Sequence, residues 1–161
     1  MLTELKVHKQ SIKISWNTRI VLFLFLSISW CSGLTFFILN TWVEVEGEFG
    51  VEKHPFQYPI LKTHGASAFI MMIIFGFLIA AHIPAGLKQK RNKITGIILI
   101  IINVFMIITA YLLYYSGEEY RSLVSYAHFI VGLFFPLLLI FHLLNRKKLS
   151  KNLTPKLRQS D

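Results

Sequence analysis

Four long apolar runs organise this chain. They cover approximately Ile20–Leu39, His64–Ile83, Ile94–Tyr114 and Leu123–Leu144. Each is close to the ~20 residues that carry an α-helix across a bilayer. The pattern predicts an all-α membrane protein, a four-helix transmembrane bundle. The runs take up most of the middle of the chain, so the predicted organisation is a basic tail at 1–19, the bundle at 20–145 and a second basic tail at 146–161. The final residues read as a solvated tail. With 54% hydrophobic residues in 161, no second domain fits.

The polar positions between the runs come in blocks of alternating sign. Lys6, Lys9, Lys13 and Arg19 precede the first run. Lys88, Lys90, Arg91 and Lys93 lie between the second and third, and Arg146, Lys147, Lys148, Lys151, Lys156 and Arg158 follow the fourth. Glu44, Glu46, Glu48 and Glu52 lie between the first and second runs, and Glu118 and Glu119 between the third and fourth. Basic segments stay on the cytoplasmic side, which places both termini there. The net charge of +9 is thus a topology signal, and nucleic-acid binding is excluded as its explanation. The acidic loop could be plainly solvated or could dock a basic partner.

The first connection, Asn40–Thr63, is the longest, and its Gly47, Gly50, Pro55 and Pro59 argue against a helix throughout. Gly86–Lys93 and Tyr115–Ser122 are tight, so consecutive helices should be antiparallel neighbours. Trp42, Tyr58, Tyr111, Tyr114, Tyr115, Tyr120 and Tyr126 sit where an interfacial aromatic belt belongs. The first run is too long for a signal-peptide core and no small-residue cleavage site follows it, so it reads as an uncleaved helix. Cys31 is the single cysteine. It excludes an internal disulfide and a C-x-x-C-H attachment site for covalent haem.

The chemistry lies in four histidines inside the second and fourth runs: His64, His82, His128 and His142. Ionisable groups at membrane depth are costly and mark functional sites. His64 and His82 are 18 residues apart, five turns of an ideal α-helix and about 27 Å. His128 and His142 are 14 apart, about 40° short of four turns and about 21 Å. Each pair shares a face. Because both helices run inward, His64 can meet His128 near the outer side and His82 can meet His142 near the inner side. Two such pairs suit the axial positions of two haems held between facing helices. Gly65, Ala68 and Gly132 would leave room for a flat macrocycle, with Gly86 one turn after His82. Met71, Phe75, Ile79, Phe135 and Leu139 would fill the space between the plates. Lys62 and Arg121 near the outer pair, and Lys88 and Arg146 near the inner one, could bind propionates or simply snorkel to the interface.

Other readings of the histidines are a single haem, interhelical hydrogen bonding, a proton path, or a mononuclear metal site. The distance between pairs argues against one shared ion. His8 and His54 lie outside the runs and read as surface residues, with His54 the substitute outer ligand. A function of another class also remains, a haem-free membrane scaffold or small transporter subunit.

The segments Leu61-Lys62-Thr63-His64-Gly65-Ala66, Ala81-His82-Ile83-Pro84-Ala85-Gly86 and Thr109-Ala110-Tyr111-Leu112-Leu113-Tyr114-Tyr115, with His128 and His142, resemble small bacterial flavinylation-associated cytochromes. These belong to the four-helix di-haem b-type membrane cytochromes. The resemblance covers roughly residues 60–145. It implies two non-covalent b haems, location in the bacterial inner membrane, and electron transfer to an extracytosolic flavin or cytochrome. The chain has no flavin-acceptor domain, so a flavin would sit on a separate periplasmic protein. Quinol or a cytoplasmic-side donor would supply the electrons, although no quinone motif is present. Membrane lipid and haem are then its immediate partners.

Overall fold

The computed structural model describes residues 14–88 and 92–157, with side chains for 14–87 and 92–145. Its elements are five α-helices and one π segment, with a small hairpin after the first helix. They are α1 (Trp16–Trp42), β1 (Glu44–Gly47), β2 (Gly50–Lys53), α2 (Gln57–Phe77), the π segment Leu78–His82, α3 (Ile83–Lys88), α4 (Lys93–Tyr115) and α5 (Glu118–Leu157). Four helical stretches are long and apolar enough to cross a membrane: Trp16–Trp42, Gln57–Leu87, Lys93–Tyr115 and Glu118–Asn145. This is the architecture of a multi-pass membrane protein, in which the helix satisfies every backbone polar group internally. Leu24, Ile73, Ile101 and Leu137, one from each stretch, expose half or more of their surface.

The observed helices run past the apolar boundaries. α1 starts at Trp16, capped by Ser15, whose hydroxyl accepts from the Thr18 amide at 3.1 Å. α2 starts at Gln57, seven residues before His64. Pro59 does not prevent this, because the first turn of a helix needs no intrahelical N–H donors. The expected irregular loop therefore shrinks, and it contains an antiparallel hairpin pairing Glu44 with Lys53 and Gly47 with Gly50. Gly50 has φ +122°, a conformation open to glycine and strained for other residues. The tail expected from Arg146 is helical along its backbone to Leu157. No proline or glycine interrupts the sequence between Pro136 and Pro155. Most of the N-terminal basic block (Lys6, Lys9 and Lys13), Lys90 and Arg91, and the side chains of Lys88 and Arg146 lie outside the described residues.

Close backbone packing is concentrated in two antiparallel pairs, α1–α2 and α4–α5, joined by a lighter α1–α5 seam. That seam carries Phe37 stacked on Phe129, ring centroids 3.7 Å apart and planes 7° apart. It also carries the Trp30 indole, which donates to the Leu133 carbonyl at 3.2 Å. Pro136 follows within one turn of that carbonyl and deprives α5 of the backbone bond its own N–H would have made. Two hydroxyls in α1 bond to their own helix: Ser32 donates to the Ile28 carbonyl at 2.6 Å and Thr35 to that of Cys31 at 2.8 Å.

Candidate functional site

The π segment revises the geometry of helix two. The Ile83 amide bonds back to the Leu78 carbonyl, five residues away rather than four. Pro84 comes next. Without an N–H it can make neither the four-back nor the five-back bond. One residue is thus inserted into the helical phase between His64 and His82, a rotation of about 100°. The shared-face expectation for this pair assumed an unbroken α-helix and does not hold in that form. Such single-turn π segments occur frequently at functional sites.

At the hairpin end, His64 of α2 and His128 of α5 come together across the two helix pairs. Their ring centroids are 6.3 Å apart and their planes 88° apart. Each ring is fixed from behind. His64 Nδ1 lies 2.9 Å from the main-chain carbonyl oxygen of Ser29. A carbonyl only accepts, so the proton is on Nδ1. His128 Nδ1 lies 2.7 Å from Thr109 Oγ1. That hydroxyl sits 2.9 Å from the Phe105 carbonyl and 3.1 Å from that of Met106. Its single proton goes to its own helix, so satisfying every contact requires it to accept from His128 Nδ1–H. Both rings are then Nδ1–H tautomers, and both Nε2 atoms carry lone pairs. Among the described residues neither Nε2 has a hydrogen-bond partner.

Two lone pairs cannot bond each other, which weighs against interhelical glue at this level. A metal bond to an imidazole nitrogen is about 2 Å, and the ring centre lies about 1.2 Å further on, so two imidazoles on one ion would have centroids about 5 to 6.4 Å apart. The observed spacing falls within that range, so His64 and His128 are close enough to hold one ion between them. No group of three or more His, Cys, Asp or Glu side chains able to hold a metal occurs among the described residues. A protein-only mononuclear site is therefore incomplete, whereas a macrocycle brings four equatorial nitrogens of its own. The donor set fits haem, and the hydrogen bonds behind both rings are of the kind that orient metal-bound histidines.

Gly33 and the acceptors behind the rings are the residues that sequence reasoning missed. A Cβ at Gly33 would lie 2.8 Å from His64 Cε1 and 3.0 Å from Nδ1, so only glycine lets this ring lie against α1. Of the expected small residues, Gly65 would bring a Cβ within 3.8 Å of the Tyr114 hydroxyl on α4, and Gly132 within 3.0 Å of Met106 Cε. Gly132 therefore turns its bare face to α4. Ala68 is half-buried one turn after His64.

At the other end, His142 Nδ1 lies 2.7 Å from Thr95 Oγ1, and its carbonyl accepts from Asn92 Nδ2 at 2.8 Å. Asn92 has φ 54° and precedes α4. His82 closes the π segment. Of the four expected cations, Lys62 lies with its Nζ 4.3 Å from the centre of the Tyr58 ring, and Arg121 is exposed in the first turns of α5. His54 accepts from the Phe56 amide at 3.2 Å. It borders a cleft of about 380 Å³ that also meets Phe36, Lys53, Gln57, Tyr58 and Leu61. Comparison with protein-family models, curated proteins and solved structures finds no match.

Proposed function

We propose that this protein is a di-haem b-type cytochrome that moves electrons across a bacterial inner membrane. It resembles flavinylation-associated cytochromes, and both termini would face the cytoplasm, as the alternating loop charges indicate. His64 and His128 would hold the haem at the hairpin end, and His82 and His142 the one at the tail end. Bound haem supplies reversible one-electron chemistry whose potential depends on its axial ligands, their hydrogen bonds and burial.

The protein's own groups do the rest. Ser29 and Thr109 hold the two imidazoles with Nε2 unprotonated. Apolar helices exclude water, and Lys62 and Arg121 offer positive charge near the hairpin end. Electrons would enter from quinol or a cytoplasmic-side donor and leave to a separate extracytosolic flavoprotein or cytochrome.

The observation that carries this reading is the 6.3 Å pair of rings, each protonated on the nitrogen turned to its own support. A reduced-minus-oxidised spectrum of purified protein from haem-replete cells tests it. Low-spin b-type bands with about two haems per chain are expected. A colourless, iron-free preparation would overturn the reading and leave a haem-free scaffold or transporter subunit.

A further inference from the structure

The α4–α5 hairpin contains the same arrangement twice. Thr109 faces His128 and Thr95 faces His142, both with Oγ1 2.7 Å from Nδ1. Both hydroxyls have a second contact that can only accept. For Thr109 these are the Phe105 and Met106 carbonyls, and for Thr95 the Asn92 carbonyl at 3.2 Å. The threonines are 14 residues apart on α4 and the histidines 14 apart on α5. Sliding about 21 Å along the antiparallel pair therefore carries one unit onto the other.

We infer that Thr109 and Thr95 are positioning residues, each setting the tautomer and orientation of one histidine, and through it the behaviour of one centre independently of the other. This rests on the di-haem reading above. A threonine whose single proton is committed to its own helix is a permanent acceptor. It holds the ring as Nδ1–H and presents Nε2 as the ligand. Valine has the same shape and cannot accept. His64 offers no such handle, because its acceptor is the Ser29 main chain.

The test uses the full-length protein with Thr109→Val and Thr95→Val, each beside its Thr→Ser control. Two measurements are made: a redox titration with haem-transfer rates, and imidazole ¹⁵N shifts of the reduced protein. Thr109→Val should shift the potential of one component and weaken retention of that haem by about 10- to 100-fold, the usual scale for losing a partner behind a metal ligand. The other component should be unchanged. Thr95→Val should do the converse, and serine should restore each. Unchanged potentials, equal shifts of both components, or failure of serine to rescue would overturn the inference.

If the wild type binds no haem, the di-haem reading falls, and the ¹⁵N shifts still decide the threonine role. His128 in Thr109→Val and His142 in Thr95→Val should lose their strict Nδ1–H preference. Full retention of it would overturn the inference.

Discussion

The hairpin end and the tail end of the bundle share one half of their construction and differ in the other. On α4–α5 both present a threonine-backed histidine. On α1–α2 they part. At the hairpin end a straight α2 presses His64 onto the bare backbone of Gly33. The tightly packed residues Ser32, Phe37, Ser67 and Thr109 all surround that level, none more than 9% exposed. At the tail end α2 gives way to the π segment, and His82 occupies its last position. If the proposed haems bind, their centres would share one repeated hairpin, while the histidines on α2 and its π segment would be set by unrelated devices, a close helix approach and a break in helical phase. Different surroundings give different potentials, and a descending pair of potentials is what directional transfer needs.

Substituting Gly33 should expose the difference most strongly. Gly33→Val places a branched side chain where His64 Cε1 would be 2.8 Å from its Cβ. The ring must leave, and with it the bond to Ser29. Loss of the hairpin-end haem is expected, with about 1–3 kcal/mol of destabilisation from overpacking. The tail-end component should survive. Haem stoichiometry and thermal unfolding of the purified variant check this, and loss of both haems in a still-folded bundle would mean that the two ends are not separable.

Pro84→Ala should act at the other end and more weakly. It restores an N–H two residues after the π segment, so the segment can anneal into regular helix and rotate the turns beyond it by about 100°. The tail-end potential should then shift while the hairpin-end one stays put. Redox titration reads this directly. A shift confined to the hairpin-end component would reverse the assignment of the π segment to the tail-end site.

Much of this architecture is legible in the sequence. Apolar length reveals four helices long enough to span a bilayer, and Lys93–Tyr115 nearly coincides with the run Ile94–Tyr114. The meeting of His64 with His128 also follows from depth alone. The early start of α2 is hidden by Pro59, which reads as a breaker until its position in the first turn is known. Helical arithmetic cannot foresee the π segment, since it counts every residue at 100°; Pro84 two positions after His82 is the one local signal. Gly33 carries none, because its role depends on which residue of another helix it faces. Thr95 and Thr109 do carry one, their 14-residue spacing equal to that of His128 and His142.

The electronic signature of the haem iron proposed at the hairpin end would test the whole arrangement most directly. If the proposed haem is held by His64 and His128, whose ring planes stand 88° apart, the oxidised protein should give a strongly anisotropic low-spin ferric signal. Electron paramagnetic resonance of the oxidised wild type should therefore show that signal, and His128→Ala should abolish it while about one haem per chain remains. Wild-type protein without a low-spin ferric signal, or a His128→Ala protein that retains the signal intact, would contradict a His64–iron–His128 centre.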